Sequence, residues 1–156
     1  MKCLIARCHE SNASFAQCVP CKEADGEKYV VSLVTSDVAF MGHVKLILKS
    51  DNEAALLTLV RAALEEIRCQ VPDVTHATSE EAAAYESPSN GGTECGIREV
   101  RGLFRTIKLD TERRIGCEIM PCHPLLDWLV EHSALLITAM HVGTDGKTAW
   151  SRIRGR

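Results

Sequence analysis

At 156 residues the chain has one domain's worth of length, enough to bury a core without disulfides or metal as staples. A net charge of −3, from 18 basic and 21 acidic residues, excludes a uniformly basic nucleic-acid binder, so any electropositive surface must be local. The opening run Met1 to Arg7 is too short and too soon charged for a secretory signal. The longest apolar stretch, Ser133 to Met140, is bounded by Asp127, Glu131 and His132, far short of the roughly 20 residues a membrane span needs. An intracellular protein with reduced thiols and no bilayer contact is the expectation.

Cys3 to Cys8 and Ser14 to Cys21 flank the polar cluster His9-Glu10-Ser11-Asn12 and together predict a β-hairpin. From Glu27 to Phe40 the valines Val30, Val31, Val34 and Val38 fall near helical spacing, with Gly42 as a stop just beyond. Val44 to Lys49 predicts a strand that delivers Asp51 to its C-terminal tip. Leu57, Val60, Leu64 and Ile67 then form the stripe of an amphipathic helix. Asp73 to Thr78 predicts one more strand, and Ser79 to Gly92 a loop of serine, proline, asparagine and glycine in which Ala82-Ala83-Ala84 could form a helical turn. Ile97, Val100, Phe104 and Ile107 restore helical spacing, and Pro124 opens a leucine-rich helix that runs to about His141, ended by Gly143 and Asp145-Gly146. A hairpin followed by alternating helices and strands predicts one α/β domain over 1–156, a mixed sheet with helices on its faces.

Two acidic residues stand where chemistry is plausible. Asp51 ends an apolar strand, and Glu94 opens a helix after Ser87-Pro88-Ser89-Asn90-Gly91-Gly92-Thr93. Carboxylates from two elements suit Mg²⁺, which takes oxygen ligands and keeps waters or phosphate oxygens in its shell. Each also has an ordinary structural role available: Asp51 as a helix N-cap and Glu94 as a first-turn acid facing the helix dipole.

Lys49-Ser50-Asp51-Asn52-Glu53-Ala54-Ala55-Leu56, followed by Ser87 to Glu94, resembles the strand tip, active-site loop and glutamate of the integrase catalytic cores of retrotransposons and retroviruses. Asp145-Gly146-Lys147-Thr148-Ala149-Trp150-Ser151-Arg152-Ile153-Arg154-Gly155-Arg156 is similar to the segment that closes many retrotransposon cores, so the resemblance runs through essentially the whole chain. The separation of Asp51 from Glu94 is longer than the family's best-known spacing, within what a loop insertion tolerates. The resemblance implies an RNase H-like fold in which Asp51 and Glu94 are catalytic and bind Mg²⁺ or Mn²⁺, and Ser89, Asn90 and Gly91 belong to a mobile active-site loop. The family's first catalytic aspartate lies on a central strand ahead of the hairpin. No acidic residue precedes Glu10 here, so the resemblance implies a partial core lacking that strand and one ligand of the triad.

Glu94, Arg98, Arg101, Arg105 and Lys108 recur at intervals of four and three, which puts them on one helix face. Such a face could lie along DNA phosphates, or it could be spent in local ion pairs with Glu99, Glu112 or Asp110. Cys18-Val19-Pro20-Cys21, even with Cys117, Cys122 and His123, does not make a convincing zinc site, because strand alternation splays the first pair, and no zinc is expected. His132 and His141 on the last helix are expected as hydrogen-bonded structural residues, and Trp128 and Trp150 as packing anchors.

The function implied by the resemblance is DNA integration. The reaction is metal-dependent 3′-end processing and strand transfer on element and target DNA, which places the protein in the nucleus when it acts. Whether this chain is itself an enzyme is left open by the absent first aspartate. The rivals are a non-catalytic nucleic-acid-binding remnant and a homo-oligomerisation module built on the leucine-rich last helix.

Overall fold

The computed structural model describes residues 2–19, 24–81 and 87–155. The elements are β1 (Lys2–Arg7), β2 (Ser14–Val19), α1 (Ala24–Met41), β3 (Lys45–Ser50), α2 (Ala54–Gln70), β4 (His76–Glu81), α3 (Ser87–Ile115), α4 (Leu125–Met140) and α5 (Ala149–Arg154). They gather into two compact units, one from Met1–Pro20 with Gly91–Arg156 and one from Cys21–Asn90. Among the described residues β1 pairs only with β2 and β3 only with β4. The expected α/β class is therefore present as one antiparallel and one parallel pair, with no described strand bonded to the second edge of β1 or of β3.

In the Cys21–Asn90 unit, β3 and β4 run parallel with Lys45 opposite His76 and Ser50 opposite Glu81, and α2 is the crossover between them. Alternation along β3 turns Leu46 and Leu48 toward the core and leaves Lys45, Ile47 and Lys49 exposed, as a half-buried strand requires. The core joins Val38 of α1, Ala63, Leu64 and Ile67 of α2, Val71 and Ala77. Arg68 ties α2 to β4 by donating from Nη2 to the Ala77 carbonyl at 2.7 Å. Gly42, at φ 64°, ends α1 in the left-handed conformation glycine adopts without steric cost.

β4 starts at His76, not Asp73, because Val71 to Val74 closes a turn and Thr75 N–H donates to the Val44 carbonyl before the ladder begins. Ser79 to Glu81, expected in a loop, complete that strand. The Ala82-Ala83-Ala84 segment lies outside the described residues.

In the other unit the hairpin has Cys8 N–H donating to Ala13 O, so the next pair inward, Arg7 opposite Ser14, is a non-hydrogen-bonded one. The N–H and C=O of Ser14 therefore point away from β1. Thr138 of α4 satisfies both: its Oγ1 accepts from Ser14 N and donates to Ser14 O, each at 2.9 Å. That exchange fixes α4 along β2. Ala16, Val100, Val130, Ala134 and Ile137 form the core beneath it, and Ile119, Leu126 and Leu129 a second cluster, with Phe104 packed against both. Trp128, expected as a packing anchor, is 53% exposed and stacks on His132 instead, since the buried face of α4 runs through Leu126, Leu129, Val130, Ser133, Ala134 and Ile137.

α5 was not foreseen. Gly146, at φ 75°, turns the chain, Val142 bridges to Thr148, and the Thr148 side chain caps the helix by accepting from Ser151 N at 3.1 Å.

Candidate functional site

Asp51 directly follows β3, in the Cys21–Asn90 unit, at the carboxyl end of a strand in a parallel βαβ. Open parallel sheets bind ligands at those ends, where the strands stop and the helices start. Asp51 is exposed. The cap position of α2 is Glu53, two residues further on, so the ordinary N-cap role does not account for Asp51. Beside it Lys49 and Glu80, opposite each other in register, form a surface ion pair at 3.1 Å.

Glu94 belongs to the other unit and is exposed on α3. The first turn of α3 contains no acidic residue, so Glu94 is not the dipole-facing acid that a later helix start would have made it. Ser89, Asn90 and Gly91, expected in a loop, have helical backbone because α3 begins at Ser87. Proline at the start of a helix forgoes only an N–H that would be unpaired anyway, so Pro88 opens the helix where the sequence suggested a break. The long apolar stripe that follows carries the two glycines along at a cost of about 1 kcal/mol each.

From Glu94 the helix carries Arg98, Arg101 and Arg105 on exposed positions, with Lys108 half-buried at the end of the row. The local ion pairs that could have absorbed this face take only its last member: Lys108 Nζ sits 2.6 Å from Glu112 Oε1. Glu99 is held instead by Arg7 of β1 at 2.7 Å, and Asp110 by Arg114 at 2.7 Å. Among the described residues Arg98, Arg101 and Arg105 are left without an acidic partner. Glu112 also accepts from Ile119 N at 2.7 Å, and Lys108 first, then that N–H, hold its carboxyl below the usual range.

The opposite side of α3 is anchored from the hairpin. Arg7 lies across Gly96 so closely that a Cβ there would stand 3.1 Å from its Cδ, and its guanidinium then reaches Glu99. The sequence suggested Glu99 as an ion-pair partner but not Arg7 or Gly96; the signal, a small residue three positions before an acid, is too common to single them out.

A second cluster the sequence did not reveal is centred on Arg152 of α5. Its Nη1 donates to the Ser11 carbonyl in the hairpin turn at 2.7 Å and its Nε to Asp145 Oδ2 at 3.1 Å. Arg152 and then the Lys147 N–H pull the Asp145 carboxyl down to about 2.

Mg²⁺ or Mn²⁺ fits the donor chemistry of Asp51 and Glu94, two exposed carboxylates. Among the described residues no group of three or more His, Cys, Asp or Glu side chains is arranged to hold an ion. Each carboxylate by itself is a hard oxygen donor of the kind such an ion takes together with phosphate and water oxygens. Cys21 of the Cys-x-x-Cys lies outside the described residues.

In its fold the chain matches an integrase catalytic core. The structure is similar to the crystal structure of the catalytic core domain of BIV integrase, with a TM-score of 0.60, 98% of this chain and 85% of that chain covered, and 17% identity. No protein-family model and no curated protein matches the sequence. Among the described residues no helix is long and apolar enough to cross a membrane.

Proposed function

We propose that the chain is a DNA strand-transfer core, acting by metal-dependent 3′-end processing and then attack of a 3′-hydroxyl on a target phosphodiester. The observation that carries this reading is the row of exposed arginines, Arg98, Arg101 and Arg105, running from Glu94 along one helix of an integrase-like fold with no acidic partner among the described residues. Phosphates are the ligands such a row suits, since a planar guanidinium offers paired donors and phosphate contacts release counterions. Asp51 and Glu94 would each be a carboxylate ligand to Mg²⁺ or Mn²⁺, and such an ion would supply stabilisation of the charge developing on the phosphate. Lys108 extends the row once DNA competes with Glu112. Ser89, Asn90 and Gly91 supply the moving part, because the glycine-bearing first turns of α3 are the cheapest part of that helix to unwind over a DNA end.

The test is joining of a labelled DNA end to a target duplex in Mg²⁺ or Mn²⁺. Asp51→Asn and Glu94→Gln should each abolish joining while leaving DNA affinity within a factor of about 3, a shift of under 1 kcal/mol. Replacing Arg98, Arg101 and Arg105 together by Ala should lower the salt slope of binding by about 3, one for each lost phosphate contact. An unchanged slope sinks the DNA-interface reading. Salt-dependent binding without joining would instead support a nucleic-acid-binding domain without catalysis.

A further inference from the structure

Cys3 of β1 and Cys18 of β2 are direct register partners. Counting inward from the hydrogen-bonded Cys8–Ala13 pair, Cys3–Cys18 falls at a non-hydrogen-bonded position, as Ile5–Ala16 and Arg7–Ser14 do. At such positions the two side chains leave the sheet on the same face and the backbones come closest, to about 4.5 Å between Cα atoms, within the span a disulfide bridges. The two Sγ atoms are 3.6 Å apart. Cys3 is exposed and Cys18 half-buried against the core of Ala16, Val100 and Val130, so the pair sits where the core-facing stripe of the hairpin reaches solvent.

We propose that Cys3 and Cys18 form an oxidisable dithiol, a covalent modification site that closes into a disulfide across the β1–β2 ladder when the chain meets a low-molecular-weight disulfide such as oxidised glutathione. Cys3, as thiolate, attacks one sulfur of the small disulfide and its partner sulfur leaves as a thiolate. Cys18 then attacks Cys3 Sγ, the second small thiol departs, and it takes up the proton Cys18 loses. One protein dithiol is oxidised and one small disulfide becomes two thiols. The order follows from the surroundings: burial first, then the hydrogen bond with Cys3 and the carboxylate of Asp127, push the Cys18 thiol well above its ordinary range. Cys18 is thus the resolving group and exposed Cys3 the one the oxidant meets. Closure needs side-chain rotation only, since the ladder already holds the backbones in place.

The decisive measurement uses the full chain in graded mixtures of reduced and oxidised glutathione, quenched with N-ethylmaleimide and digested without reduction for mass spectrometry. The expected product is the Cys3 peptide linked to the Cys18 peptide, favoured by about tenfold or more over any other pairing because the fold supplies a high effective concentration. Dithiothreitol should remove it, and denaturant present during oxidation should erase the preference. A Cys18→Ser chain should stop at the glutathione adduct of Cys3. The proposal is overturned if Cys3 and Cys18 are both recovered alkylated in mixtures that already load glutathione on Cys3 of the Cys18→Ser chain, or if Cys3 pairs no more with Cys18 than with other cysteines.

Discussion

Thr138 and Ser14 show how one hydroxyl can decide where a helix lies. The register turns the Ser14 N–H and C=O outward, and both are buried, so an isosteric Thr138→Val leaves two polar groups unpaired. The expected loss is about 1–3 kcal/mol, read as a lower urea midpoint at unchanged m-value. Ser14 Oγ is the reverse case. It is buried with no hydrogen-bond partner among the described residues, so Ser14→Ala should leave the midpoint unchanged or raise it. Asp145 gives a pH-dependent counterpart. Its carboxyl titrates lower in the folded chain than in the unfolded one, where the ordinary value near 3.8 applies. The contribution it makes with Arg152 is therefore fully present above about pH 4 and is lost as pH falls toward about 2. The Asp145 carboxyl carbon should titrate in that window by NMR, and Arg152→Gln should return its midpoint toward 3.8.

The helices with long apolar stripes were legible from spacing alone. Leu57, Val60, Leu64 and Ile67 predict α2, and Val100, Phe104 and Ile107 predict the body of α3, because a stripe repeated over several turns admits one period only. What spacing could not give was where α3 begins. Ser87 to Gly92 has the composition of a loop, yet its backbone is helical, since a helix already nucleated by downstream packing extends at small cost per residue. A Cβ at Gly91 or Gly92 would meet nothing within 4 Å. Gly91→Ala with Gly92→Ala should therefore stabilise α3 by about 0.5–1 kcal/mol each, seen as slower amide exchange in its first turns. If those turns unwind over a DNA end, the same change should slow joining without weakening DNA binding. Asp51 stands at a strand tip, a position the sequence shows, whereas the helix start assigned to Glu94 lies seven residues earlier, at Ser87. The Arg152 cluster was not visible, because it joins residues at opposite ends of the chain through backbone carbonyls that any sequence possesses.

At the scale of the whole molecule, the core of Val38, Ala63, Leu64, Ile67, Val71 and Ala77 lies wholly within the Cys21–Asn90 unit. A fragment of residues 21–90 should therefore retain helical circular dichroism and melt cooperatively, though a chain of that size buries a small share of its surface and its midpoint should be low. A fragment that stays a random coil would show that this core depends on the rest of the chain. The hairpin has no such independence. Its inner face is covered by Val100, Val130, Ala134 and Ile137, and its turn is held by Arg152. On a ribosome the strands β1 and β2 emerge well before the helices that cover them, and find their partners only after α4 and α5 have been made. Synthesis at about 5–20 residues per second leaves that pair of strands waiting for roughly 7–27 s with its apolar face uncovered. The interval belongs to chaperones, and a slowed stretch of translation across residues 91–156 would lengthen it.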